Sequence, residues 1–116
     1  MSSVSPNVLE KKKHIAVAAE HAVSNARGIS LVPAAIVGAS YPYAPDIPGI
    51  WVRGPDTEGR YTVELHVVVE SRATDESLLD ESRRLRSMVW EEFRGRNLAE
   101  EINSVDIFVE DIDIAV

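Results

Sequence analysis

From Tyr61 the chain alternates with period two: Tyr61, Val63, Leu65, Val67 and Val69 fall on one side, with Thr62, Glu64, His66 and Glu70 mainly on the other. Only an extended chain puts every second side chain on one face, so this reads as a strand with one buried and one wet side. Ile50-Trp51-Val52-Arg53 is a second run, joined to the first by Gly54-Pro55-Asp56-Thr57-Glu58-Gly59. Those turn formers predict a hairpin of two antiparallel strands. Near the C-terminus Val105, Ile107 and Val109 alternate with Asp106, Phe108 and Glu110, whereas Ile112, Ile114 and Val116 continue with the opposite parity. One extra residue moves every later side chain to the other face, so the slip predicts a bulge or break near Glu110-Asp111.

Two segments follow the helical period instead. Val8, Ile15, Ala19, Ala22, Val23 and Ala26 mark one, with Ser5-Pro6 as a start and Gly28 as a left-handed stop, which predicts a helix over about 6–26. Its stripe is mostly alanine, so a neighbour can approach closely but each residue buries little area. Leu78, Leu85, Val89 and Phe93 mark the other, preceded by Thr74, Asp75 and Glu76 as cap and first-turn acids, for a helix over about 75–94. Between Gly28 and Pro45 no residue is charged, yet Pro33, Gly38, Pro42 and Pro45 interrupt the run. A buried strand or packed loop fits this stretch better than a membrane span. The order α-(β)-β-β-α-β predicts an α+β fold: a small sheet of about three strands with helices on one face, in one domain over 1–116. Residues 1–28 carry the first helix and residues 47–116 the β-β-α-β core.

With 45% hydrophobic and 27% charged residues in 116, the composition is that of a globular domain and excludes a disordered tail or a fibre. The absence of cysteine removes disulfides, thiolate metal sites and cysteine nucleophiles, and favours a reducing cytoplasm. The opening Met-Ser-Ser-Val-Ser-Pro has no basic and apolar regions of a secretory signal, so export by that route is not expected. The net charge of −7 opposes nucleic acid and anionic bilayers. It is unevenly spread, because residues 1–28 hold Lys11, Lys12, Lys13 and Arg27 against Glu10 and Glu20, whereas six arginines face fourteen acids over 61–116. The first helix is therefore the basic element and a candidate partner surface.

Chemistry is sparse. His14 and His21 lie two helical turns apart, about 10 Å, too far to share one ion. His66, next to Glu64 on the wet face of its strand, reads as a surface histidine. The C-terminal acids do not follow a calcium-loop pattern, and no nucleophile elbow, phosphate loop or dinucleotide fingerprint is present. A KH-type module would need a Gly-x-x-Gly clamp, and no two glycines have that spacing. Arg83, Arg84 and Arg86 lie among acids and suit intrahelical ion pairs. Trp90, at the edge of the apolar stripe, is a candidate interface anchor.

The second half resembles the alkaline shock protein 23 family of bacterial envelope-stress proteins. The resemblance runs over about 47–113 and is carried by Ile47-Pro48-Gly49-Ile50-Trp51-Val52, by Tyr61-Thr-Val-Glu-Leu-His-Val-Val-Val-Glu70, by the amphipathic helix and by Val105-Asp106-Ile107-Phe108-Val109-Glu110-Asp111-Ile112. It implies a non-enzymatic, self-associating cytoplasmic protein, recruited to the membrane by a membrane-anchored partner and active in envelope homeostasis. The family has no catalytic or ligand motif to carry over. The expectation is thus a homo-oligomeric adaptor without cofactor, metal, nucleic acid or direct membrane insertion. Its candidate interface residues are Trp90, Ile112, Ile114, Lys11, Lys12 and Lys13. The rival is a small-molecule-binding or enzymatic domain whose pocket lies near residues 29–52, with Tyr41, Tyr43 and Trp51 as aromatic surface.

Overall fold

The computed structural model describes residues 6–32, 47–70 and 77–113. Helix α1 spans Pro6–Ser24 and strand β1 Ile29–Leu31; strands β2, Ile50–Arg53, and β3, Tyr61–Glu70, follow. Helix α2, Leu78–Gly95, leads through a 3-10 turn at Ala99–Glu101 into strand β4, Ile102–Asp113. This is the expected α+β order, α-β-β-β-α-β.

Strand β3 is the centre of the sheet. On one edge it pairs antiparallel with β1 along Val67–Val69 and with β2 along Thr62–Leu65; on the other it runs parallel to β4. β1 and β2 thus lie end to end and meet opposite His66, whose carbonyl accepts from Val32 N–H (2.9 Å) and whose N–H donates to the Gly49 carbonyl (2.7 Å). Four strands therefore make a sheet only three strands wide. Gly49 sits at this seam with φ +85, where a Cβ would stand 3.0 Å from the His66 carbonyl oxygen and 3.1 Å from the Val32 nitrogen. Glycine alone fits that backbone and that approach.

The alternation read from β3 holds at every position: Tyr61, Val63, Leu65, Val67 and Val69 are buried, and the intervening residues are not. Both helices cover the buried side, α1 over β1 and β2 and α2 over β4. From α1 the residues Ile15, Ala16, Ala18, Ala19, Ala22 and Val23 are buried, as is Ala26 just past its end, so the alanine stripe brings α1 against α2 as well as the sheet. Leu65, Val67, Leu85 and Val89 share one core, with Ile107 packed at its margin.

The C-terminal phase slip is a bulge: Val67 pairs with Val109 and Val68 with Asp111, leaving Glu110 as the extra residue. A second irregularity skips Asn103, between the Tyr61–Ile102 and Thr62–Ser104 pairs.

Two expectations for α2 need correction. The helix begins at Leu78, and its cap is Ser77, whose Oγ accepts from Asp80 N–H at 3.2 Å; Thr74 lies outside the described residues. Leu78 does not belong to the buried face, since it is 41% exposed, whereas Glu81 is 1% exposed and heads the stripe Glu81, Leu85, Val89, Phe93. Glu81 occupies a core position because Arg84, one turn on, donates to both its carboxylate oxygens at 3.1 and 3.0 Å. A buried carboxylate needs such compensation.

Candidate functional site

The helices leave the other side of the sheet open among the described residues. Three strands present there Trp51 and Arg53 from β2, Thr62, Glu64, His66, Val68 and Glu70 from β3, and Asp106, Phe108 and Glu110 from β4. The Arg53 guanidinium lies over the Trp51 ring, 4.3 Å from its centroid, and its Nε pairs with Glu64 at 2.8 Å. The His66 ring stacks on Phe108 with centroids 4.9 Å apart and planes 12° apart, and its Nδ1 meets Glu110 Oε1 at 2.5 Å. Phe108 remains 42% exposed, a large ring on an open face.

His66 points away from the helix-covered core, as the alternation requires, but it is no simple surface histidine. Its side chain is only 13% exposed, with Phe108 stacked against the ring and Glu110 at its Nδ1, both from β4. The bulge makes this contact available, since it takes Glu110 out of register and leaves its carboxylate opposite His66. The phase slip was legible in the sequence. Its consequence for His66 was not, because nothing in the sequence places β4 directly beside β3 and parallel to it.

The lysine run divides among three environments. Lys11 pairs with Glu101 at 2.7 Å and ties α1 to the 3-10 turn. Lys12 is partly shielded, and that burial lowers its ammonium pKa. Lys13 is exposed and, with Glu10, His14, Val17, Arg96 and Leu98, lines an open groove of about 360 Å³. A helix turns about 100° per residue, so three consecutive charges cannot form one patch. A further link joins the helices: His21 Nδ1 lies 3.1 Å from Glu92 Oε1, and Arg96 Nε donates to Glu92 Oε2 at 2.7 Å. Arg96 first, and then His21, hold the Glu92 carboxyl below its ordinary value.

Trp90 is half-buried on α2, edge-on to Phe93 at 6.0 Å between centroids. Ile112 pairs in register with Val69, so the chain past the slip is part of the ladder rather than an extension beyond the core strand. Ile114, Tyr41 and Tyr43 lie outside the described residues. The described part of the rival pocket region offers a polar hollow of about 190 Å³ at Gly28, Ile29, Ser30, Val68 and Glu70. Small-molecule sites usually occupy about 300–1,000 Å³. Among the described residues no group of three or more His, Asp or Glu side chains is placed to hold a metal ion, and no helix is long and apolar enough to cross a membrane.

No protein-family model, curated protein or solved structure matches the chain.

Proposed function

We propose that the protein is a non-catalytic, self-associating adaptor of the envelope-stress type, brought to the membrane by a membrane-anchored protein. The observation that carries this reading is the open sheet face. A two-layer α/β arrangement buries one side of its sheet and leaves the other open to water or to a partner. Here that side holds an exposed ring, Phe108, and an arginine stacked on tryptophan, residue types that anchor interfaces. The resemblance over 47–113 supplies the biological setting.

Recruitment is tested by a pull-down with the tagged full chain from native membrane and soluble fractions. Enrichment of a protein with a membrane-spanning segment supports it. Recovery of the tagged chain alone from both fractions contradicts it.

A further inference from the structure

We infer that the open sheet face receives the flank of α2 from a second copy of this chain, an inference that rests on the self-association proposed above. The two surfaces differ in sign. On the sheet face Glu64, Glu70, Asp106 and Glu110 outnumber Arg53, the single formal positive charge there among the described residues, and Asp106 and Glu110 flank the exposed ring of Phe108 along β4. On α2 the residues Leu79, Arg83, Arg86, Trp90 and Arg94 recur at helical spacing within an arc of about 80°, forming one apolar and basic stripe. Leu79 is 59% exposed, and Trp90 is half-buried. Arg83 holds Asp80 only at 3.9 Å with 66% of its side chain exposed, so its charge is free to act outward. Arg86 donates from Nε to the Val105 carbonyl (3.1 Å) and Arg94 pairs with Glu91, contacts that hold both side chains along the flank.

Dimensions agree. An α2 of 18 residues is about 27 Å long, and a β3 of ten residues about 33 Å, so the helix covers most of the length of the face. The sheet is about 15 Å wide, and a face of that size is well below the roughly 800 Å² per partner of a stable complex. The contact is therefore weak and concentration-dependent. It joins two different surfaces of the chain, so each added copy leaves one of each exposed and growth continues beyond the dimer. Because opposite charges steer it, added salt weakens it.

Charge reversal at two exposed positions tests the pairing by sedimentation velocity across protein concentration at low salt. Arg83→Glu and Asp106→Lys should each raise the concentration needed for association about tenfold or more. The double variant, in which every copy carries both reversals, should return toward wild type, which also shows that the changes leave folding intact. Single variants that associate like the wild type, or a double variant no better than either single one, overturn this surface assignment while self-association stands. A wild-type chain that stays monomeric overturns the proposed function itself.

Discussion

Replacing Glu81 by leucine should stabilise the protein. The carboxylate sits in the core stripe of α2 with 1% of its surface exposed, between the helix and what it packs on, and its charge is compensated by the Arg84 guanidinium at 3.0–3.1 Å. Exchange of a buried ion pair for a well-packed apolar residue of similar volume is commonly neutral or favourable by about 1–4 kcal/mol. The gain here belongs at the low end, about 1 kcal/mol, because Arg84 is 42% exposed and keeps part of its hydration. The change also removes an acid from the first turn of the helix, worth about 0.3–1 kcal/mol. Arg84→Ala acts in the opposite direction. It leaves the carboxylate buried without that partner and should cost about 1–3 kcal/mol, less than the 3–5 kcal/mol of a fully buried pair. In the Glu81→Leu background the same Arg84→Ala change should cost less than it does in the wild-type chain, because no buried carboxylate is then left without its partner. Urea unfolding at neutral pH, followed by tryptophan fluorescence, measures all four chains. A loss above about 1 kcal/mol for Glu81→Leu would refute the argument and assign the carboxylate a use beyond its pairing with Arg84.

Leu85→Ala, at a position 1% exposed, should cost about 2–5 kcal/mol in the same unfolding assay, and a change below about 0.5 kcal/mol would contradict the helix phase. Glu92, whose carboxyl Arg96 and His21 hold below its ordinary value, contributes stability that is present above the unfolded carboxylate range and is lost as pH falls through the folded value. Glu92→Gln should therefore flatten the acid side of the stability curve between about pH 5 and 3, and an unchanged slope would show that the α1–α2 link carries no linkage. His66→Gln removes a stacked ring and its Glu110 contact on the open face and should cost about 0.5–1.5 kcal/mol, whereas a loss above about 3 kcal/mol would mean that this side of the sheet is covered too.

What the sequence disclosed and what it withheld follow from the range of the signals. Alternation along Tyr61–Glu70 and the slip after Val109 are local properties of one chain segment, and both appear in the structure at the same residues. The alanine stripe of α1 is equally local: Ile15, Ala19, Ala22, Val23 and Ala26 are buried as expected, whereas Val8 is only partly covered and Ala16 and Ala18 widen the stripe. Pairing between distant strands is not. The end-to-end meeting of β1 and β2 at His66, and the parallel course of β4, depend on which edges become neighbours after collapse. Glu81 shows a different limit: a polar residue took a core position that the apolar period assigned to Leu78, because a partner one turn away made its burial tolerable. The lysines show a third, since adjacency in sequence suggested a patch where the helix made three separate sites.

Whether the full chain associates at all is the most direct test of the adaptor reading. Light scattering coupled to sedimentation from about 5 to about 500 µM spans the range in which weak protein interfaces form, and should be run at low ionic strength and again near 0.5 M salt. The weight-average mass should start near the 12.8 kDa monomer, rise continuously with concentration at low salt without levelling at a dimer, and fall back when salt is added. A mass fixed at 12.8 kDa across the whole range at low salt would contradict the adaptor reading.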